Sequence, residues 1–200
     1  MLLAAVVLVI GLALAWQQHH ENKIAEQAAH QNHNAPKTNK PSSQAFNNYQ
    51  VPPDAPRYLF IPGLSVRAMV KPLGLTVKNQ IASPANVFDA GWYTGSAKPG
   101  QPGAMLIDGH VSSWTARGIF YNLKKLQPGD QVQVQRGDGQ ILTYKVVKSQ
   151  VYDADNVDMK AVLTPVDPSR PGLNLITCDG SVIKGTNEFN KRIVVFTEQV

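Results

Sequence analysis

Residues 173–178 read Leu-Asn-Leu-Ile-Thr-Cys, and residues 192–197 read Arg-Ile-Val-Val-Phe-Thr. Both are short, apolar and rich in β-branched side chains, which is typical of buried strands. Arg192 follows Cys178 by 14 positions, a spacing that lets the two strands pair in antiparallel fashion. Such pairing would place a guanidinium beside the only thiol of the chain.

Short apolar segments bounded by Pro or Gly recur along the rest of the chain. It holds 15 Gly and 14 Pro, and no long stretch shows helical periodicity. A turn at Gly137-Asp138-Gly139 predicts a β-hairpin, and short helical turns are expected at residues 119–126 and 157–163. The strand candidates before the final pair are residues 57–62, 64–70, 87–93, 103–110, 132–134 and 141–147. This spacing favours a mainly β domain, either a closed barrel or a sandwich.

Composition excludes several classes of protein. The formal net charge is +5, and no basic run is interleaved with aromatic residues, which argues against nucleic-acid binding. A single cysteine excludes an intramolecular disulfide framework and any multi-cysteine metal site. A lone cysteine is most often a small buried apolar residue, so a catalytic role for Cys178 depends on its neighbours.

The chain divides into three parts. Residues 1–16 contain an uninterrupted apolar run that is short for a membrane span, and we expect a signal anchor, with a cleaved signal peptide or a buried helix as alternatives. Residues 17–50 are polar and nearly free of aliphatic side chains, which predicts a flexible juxtamembrane linker. Residues 51–200 form the expected folded domain. Four histidines fall in the linker without acidic or cysteine partners, so we expect no metal site there (His19, His20, His30 and His33).

The domain carries one histidine and one cysteine, and each ends an apolar strand candidate. Strand ends are where a rigid scaffold presents reactive groups. A thiol nucleophile needs a base or an electropositive neighbour, and His110 is the only imidazole that the domain offers. Arg192 could stabilise negative charge on a carbonyl oxygen. Spacing alone does not force His110 and Cys178 together.

Several motifs resemble those of the sortase family. Thr177-Cys178 at the end of an apolar strand resembles the nucleophile motif Thr-Leu-x-Thr-Cys. Gly109-His110 resembles the Gly-His motif, and residues 192–195 resemble the Arg-Leu-Val-Val ending. Further stretches also resemble sortase sequences and occur in the same order as in that family: residues 56–62, 91–93, 99–103 and 126–130. Together the motifs span nearly all of residues 56–197, and the chain is therefore similar to sortases.

Within the family, Gly-His-Val-Ser-Ser-Trp at residues 109–114, followed by Ile119-Phe120, is most similar to class F sortases. One departure concerns the arginine, which in class F often stands two positions earlier, where this chain has Asn190. Positions 190 and 192 share a strand face, so Arg192 remains the expected arginine, whereas Lys191 points the other way. Asn174 stands where the family has its first Thr.

The resemblance implies a mainly β, eight-stranded sortase-type β-barrel with short helices, preceded by the membrane anchor. It implies a cysteine transpeptidase in which Cys178 attacks the Thr–Gly bond of a Leu-Pro-x-Thr-Gly-like sorting signal. His110 would protonate the leaving amine, and Arg192 would stabilise the oxyanion. Thr177 is a candidate substrate-binding residue. A peptide bond is exchanged, so no cofactor is expected.

The implied partners are surface proteins that carry a sorting signal, and an amine of a peptidoglycan precursor or a pilin. The implied location is the cell membrane, with the catalytic domain outside the cytoplasm. The alternative is a membrane-tethered β-barrel binding module in which Cys178 only fills the core. Such a buried thiol would ignore alkylating reagents.

Acidic residues leave two further hypotheses open. Asp108 or Asp179 would complete a Cys-His-Asp triad, although the resemblance is to a site without an essential carboxylate. The group Asp153, Asp155 and Asp158 matches no calcium-loop spacing, and helix capping is the preferred interpretation.

Overall fold

Eight strands close into one barrel. The computed structural model describes residues 36–200, and the structural statements that follow concern this part of the chain. The strand order around the barrel is β1-β2-β3-β4-β7-β8-β6-β5. The pairs β2–β3 and β4–β7 are parallel, and the other pairs are antiparallel. The strands are β1 (Pro56–Ile61), β2 (Val66–Leu73), β3 (Ala90–Tyr93), β4 (Ala104–Gly109), β5 (Gln131–Arg136), β6 (Ile141–Asp153), β7 (Gly172–Val182) and β8 (Phe189–Gln199).

The expectation of a mainly β, eight-stranded barrel is confirmed, and its helices are short. Two α-helices occur in the described residues, α1 (Ser43–Asn47) and α2 (Met159–Val162). Short 3-10 helices cover Pro62–Leu64 and Leu123–Lys125, so β2 begins slightly later than its apolar segment suggested.

The barrel interior is filled by alternate side chains of its strands. Leu175 and Val195 of the final strand pair lie inside with Ile107 of β4, and each is fully buried. A second, smaller apolar cluster lies on the outer face and includes Leu106 and Val194. Because successive side chains of a strand point to opposite faces, the strands between the two clusters are apolar on both sides. This explains why β4, β7 and β8 appear in the sequence as continuous apolar runs.

Three strands extend beyond their apolar runs. β6 continues to Asp153, with a register shift between Val146 and Lys148 where it pairs with β8. β7 runs past Cys178 to Val182, and β8 begins at Phe189. These extensions are half-buried or exposed, so hydrophobic patterning carried no signal for them.

Residues 36–50, which the sequence assigned to the flexible linker, contact the barrel. We call them the docked segment. Phe46 stacks on Tyr58 of β1 with 4.3 Å between ring centroids. The Tyr49 hydroxyl donates a 2.5 Å hydrogen bond to the Val70 carbonyl of β2. The backbone of Lys37 donates to Ala85 and accepts from Val87. Aromatic rings and backbone hydrogen bonds therefore hold this segment, although it is poor in aliphatic residues.

The expected anchor, residues 1–16, and residues 17–35 of the expected linker lie outside the described residues. Between residues 36 and 200, no helix has the length and apolar character needed to cross a bilayer.

We predict that the docked segment contributes to stability. A protein starting at residue 51 should unfold more readily than one starting at residue 36, because it loses the Phe46–Tyr58 stack and the Tyr49 hydrogen bond. The expected difference in free energy of unfolding is about 1–3 kcal/mol, from one aromatic pair and one or two hydrogen bonds. Urea denaturation of the two proteins measures it. Equal denaturation midpoints would mean that these contacts contribute nothing.

Candidate active site

Cys178 and Arg192 lie directly opposite each other on β7 and β8. The antiparallel register pairs Cys178 with Arg192, as their spacing in the sequence predicted. Residues opposed in this way have Cα atoms about 4.5–5.5 Å apart and side chains on the same face of the sheet. The thiol and the guanidinium therefore emerge together at the outer face of the barrel.

His110 reaches the same place from the other side of β7. The parallel register of β4 and β7 pairs Asp108 with Ile176, which sets Gly109 level with Thr177. The Thr177 hydroxyl donates a 2.6 Å hydrogen bond to the Gly109 carbonyl and ties the two strands at this level. Cys178 is the next residue of β7, and His110 directly follows the end of β4. The structure thus brings together the three residues that the sequence singled out.

The His110 ring is fixed by a backbone carbonyl. Its Nε2 lies 2.7 Å from the Pro84 carbonyl oxygen. A carbonyl only accepts hydrogen bonds, so Nε2 carries the proton and Nδ1 is the nitrogen left for proton exchange with reacting groups. The His110 carbonyl also accepts a hydrogen bond from the N–H of Phe120. Both the ring and the backbone of His110 are therefore held by neighbouring loops.

Gly118 makes room for His110. The loop that follows the histidine folds back, and the Gly118 N–H donates to the Val111 carbonyl. A Cβ atom at position 118 would lie 2.1 Å from the His110 carbonyl oxygen and 2.9 Å from its Cβ. Gly109 is similarly restricted, because a Cβ there would meet the Phe120 ring at 2.6 Å. Only glycine allows the loop to pack this closely against the histidine.

Arg192 is anchored by its own strand. Its Nη1 donates two 2.9 Å hydrogen bonds, to the carbonyls of Phe189 and Lys191. Asn190, where class F relatives often have arginine, has a different contact: its side-chain oxygen accepts a 2.8 Å hydrogen bond from the N–H of Ser181. Asn190 therefore stabilises the irregular end of the β7–β8 pair, and Arg192 is the cation placed opposite the thiol.

The Cys178 thiol is half-buried, and its pKa is raised. Burial is the main cause, since it disfavours the thiolate. Arg192 opposes this effect, whereas the nearby carboxylates of Asp108 and Glu188 reinforce it. At neutral pH the thiol therefore keeps its proton, and any reaction draws on a small thiolate fraction.

A cavity of about 380 Å³ opens beside the thiol. Cys178 and Asp179 form part of its wall, together with Ser112 from the loop after His110. Lys124 and Lys125 also line the cavity and give it a basic character. The cavity is large enough for a small polar group next to the thiol.

An apolar surface approaches the thiol along the strands. It is the outer cluster, which on β7 includes Ile176, two positions before Cys178 on the same face, and on β8 includes Val194, two positions after Arg192. Val157 and Met159, from the connection between β6 and β7, are partly buried against it. Cys178 thus lies between an apolar surface and a polar cavity.

Thr177, the candidate substrate-binding residue, is 2% exposed, and its hydroxyl proton is engaged by Gly109. A substrate contact by Thr177 stays a prediction. Sequence reasoning missed two other contributors: Pro84, which holds the imidazole, and Gly118, which makes room for it. Neither carried a sequence signal, because both act through the backbone and not through a characteristic side chain.

Of the three acidic residues Asp153, Asp155 and Asp158, Asp158 has a structural role. The Asp158 side chain accepts a 3.0 Å hydrogen bond from the N–H of Ala161 and caps α2. Within residues 36–200, no three His, Cys, Asp or Glu side chains are placed to hold a metal ion together.

Comparisons with known proteins agree with the motifs. The sequence model of the sortase domain matches residues 59–200. The fold is similar to that of sortase C-1 from Actinomyces oris (23% identity, 91% of this chain and 97% of that chain covered, TM-score 0.55). It is also similar to a lid mutant of sortase A from Corynebacterium diphtheriae (22% identity, 92% and 95% covered, TM-score 0.57). A Clostridium perfringens sortase D5 transpeptidase matches likewise (19% identity, 90% and 98% covered, TM-score 0.53). No curated protein sequence matches the chain.

We predict that Gly118→Ala displaces His110. The added methyl group overlaps the His110 backbone, so the loop must move, at an expected cost of about 1–3 kcal/mol in free energy of unfolding. Activity should fall with it. Gly63→Ala is the matched control, because its Cβ would meet nothing within 4 Å. Equal melting temperatures and activities for the two variants would contradict the packing described above.

We also predict the pH dependence of Cys178 alkylation. The raised thiol pKa means that the rate constant for iodoacetamide should still be rising above about pH 8.5, where an unperturbed cysteine is half ionised. The same shift gives folding stability that is present below the unfolded-state pKa and is lost as pH rises through the folded-state pKa. Arg192→Ala should move the alkylation midpoint higher still, because Arg192 lowers the pKa. A midpoint below that of a free cysteine would contradict this picture.

Proposed function

The chain belongs to the sortase family of cysteine transpeptidases, and from this we propose that Cys178, His110 and Arg192 are its catalytic residues. The observation that carries the proposal is the strand register, which pairs Cys178 with Arg192 and leads β4 into His110 on the other side of β7. A nucleophile, a proton carrier and a cation then meet at one end of three adjacent strands. Acyl transfer needs these three functions and no cofactor.

In the first half-reaction, the Cys178 thiolate attacks the carbonyl carbon of the scissile peptide bond. A C–S bond forms, and the carbonyl π electrons move to oxygen. When the tetrahedral intermediate collapses, the C–N bond breaks and the departing amine takes a proton from imidazolium His110. The products are a thioester on Cys178 and the released carboxyl-terminal fragment. Nδ1 is the nitrogen that exchanges this proton, since Nε2 is bonded to Pro84.

In the second half-reaction, an amine attacks the thioester carbonyl. A C–N bond forms, the C–S bond breaks, and His110 accepts the proton that the amine loses. The thiolate and imidazolium are regenerated, so the number of protons balances over the cycle. One peptide bond replaces another, and no energy source is needed.

Arg192 is suited to stabilise the oxyanion. Its Nη1 is bound to two backbone carbonyls, which holds the guanidinium in a fixed position before substrate arrives. A donor fixed in advance loses little entropy in the transition state, and its charge acts in a partly desolvated place.

The two surfaces beside Cys178 suit the two sides of the scissile bond. We assign the outer apolar cluster around Ile176 to the apolar residues of the sorting signal, which is expected to resemble Leu-Pro-x-Thr-Gly. We assign the cavity lined by Lys124 and Lys125 to the leaving fragment and then to the acceptor amine. Its basic wall favours an acceptor that carries carboxylate or phosphate groups near its amine.

The finer features also belong to this proposal. Residues 109–114 with Ile119-Phe120 support assignment to class F. The apolar run within residues 1–16 supports a membrane anchor that leaves the catalytic domain outside the cytoplasm. The proposed partners are surface proteins with a sorting signal, and an amine of a peptidoglycan precursor or of a pilin.

The decisive experiment is mass spectrometry of the protein with a Leu-Pro-x-Thr-Gly peptide, followed by addition of an amine. We expect an adduct on Cys178 that passes to the amine. Cys178→Ala should form no adduct, and His110→Ala should lose transfer, with the fold intact in both. An alkylatable thiol without an adduct would indicate a different signal peptide, whereas an inert thiol would favour the binding module.

Arg192→Ala should lower kcat by about 10²–10³-fold, or roughly 2.7–4 kcal/mol, if the guanidinium replaces an oxyanion donor. Lys191→Ala is the matched control, since it removes the same charge from the opposite strand face. Equal activity of the two variants would exclude Arg192 as the oxyanion donor.

A further inference from the structure

Asp108 is a carboxylate that the three-residue mechanism does not use. It stands on the outer face of β4, two positions before His110. The strand registers place it opposite Ile176, which in turn lies opposite Val194. Two cross-strand rows therefore lie next to each other on this face. The first contains His110, Cys178 and Arg192, and the second, two positions away along each strand, contains Asp108, Ile176 and Val194. Asp108 is the only charged residue of that second row.

Its surroundings tie the carboxylate to the site. Ser83 lies within hydrogen-bonding reach of it and lowers its pKa, and the next residue, Pro84, supplies the carbonyl that holds the His110 ring. One loop therefore fixes both the carboxylate and the imidazole. The docked segment supports this loop in turn, because the N–H of Lys37 donates a 2.8 Å hydrogen bond to Ala85.

The carboxylate lies within electrostatic range of His110, Arg192 and the Cys178 thiol. Interactions with His110 and Arg192 lower the pKa of Asp108, and Asp108 in turn raises the pKa of Cys178, as does Glu188. Its setting is otherwise costly, since Leu106 precedes it on the same face and Ile176 is its cross-strand partner. An ionised carboxylate on an apolar surface destabilises the fold unless its partners compensate, and such groups concentrate at functional sites.

We propose that Asp108 is a fourth member of the site, a positioning residue whose carboxylate lies one row behind His110 and Arg192, orients both side chains and disfavours the Cys178 thiolate at rest. The inference rests on the proposed catalytic roles. A carboxylate behind the imidazole and the guanidinium attracts both groups and fixes the direction in which they face the scissile bond, which proton transfer to the leaving amine requires. The same charge disfavours the thiolate and so keeps the resting nucleophile protonated.

The buried carboxylate of Asp108 lowers the stability of the fold at neutral pH, which favours a functional role for it. Burial raises the pKa of Asp108 despite the lowering effects of His110, Ser83 and Arg192. A raised folded-state pKa gives stability that is present below the unfolded-state pKa and is lost as pH rises through the folded-state pKa. At neutral pH, above the unfolded-state pKa, Asp108 therefore costs stability. A residue retained only for the fold would be better replaced by a neutral isostere.

The test is Asp108→Asn in the full chain, with Asp179→Asn as the matched control, because Asp179 lies next to Cys178 but not behind His110. We expect the pH midpoint of Cys178 alkylation by iodoacetamide to fall by about one unit in Asp108→Asn only, the scale on which a nearby charge shifts a pKa. The melting temperature at neutral pH should stay equal or rise. In acyl transfer by Asp108→Asn, kcat should fall about tenfold or more, and KM should change by no more than about twofold. This loss of kcat is part of the roughly 10²–10⁴-fold rate gain that positioned proton transfer contributes.

Ser83→Ala is the second variant, which keeps the charge and removes only its hydrogen bond. It should move the acidic limb of the acyl-transfer profile toward neutral pH, because the pKa of Asp108 rises further. An unchanged alkylation midpoint in Asp108→Asn, or an equal shift in Asp179→Asn, would overturn the proposal. If the wild-type protein forms no acyl-enzyme, the catalytic assignment fails, while alkylation and melting still decide the electrostatic role of Asp108.

Discussion

The parallel pairing of β4 with β7 is the constraint on which the site depends. β7 lies between β4 and β8, so its register with each neighbour decides which side chains meet at their ends. The hydrogen bond from the Thr177 hydroxyl to the Gly109 carbonyl fixes the register of β4 and β7 one residue before His110 and Cys178. A slip of one residue would turn either side chain to the opposite face. The buried threonine is thus as important for the geometry as the residues that react.

Around this strand triplet, a second layer of backbone contacts fixes orientation. Pro84 holds the imidazole, Gly118 allows the following loop to close on it, and the docked segment pairs with the backbone beside Pro84. In each of these contacts the supporting residue acts through its backbone. The precision of the site therefore depends on loops that resemble ordinary connections.

The sequence predicted the parts of the molecule that follow a local pattern. The apolar segments predicted a mainly β domain, either barrel or sandwich, and the family resemblance predicted the eight-stranded barrel. The 14 positions between Cys178 and Arg192 predicted their pairing, because a hairpin-like return is a local event. His110 was different: β4 and β7 are distant in sequence, and only the family motif linked the histidine to Cys178. The docked segment was missed because Phe46 and Tyr49 bind by ring contacts and one hydroxyl, which hydrophobic patterning does not detect. The ends of β6 and β7 were missed because they are exposed.

A cysteine that keeps its proton also resists oxidation. Peroxides react with the thiolate, so the desolvation that slows the resting nucleophile also limits its conversion to sulfenic acid. The chain has no second cysteine to capture a sulfenic acid as an internal disulfide, and recovery would need a thiol from another molecule. Burial of Cys178 therefore governs the working lifetime of the enzyme as well as its rate: a variant engineered for a more acidic thiol would gain reactivity toward substrate and oxidant alike.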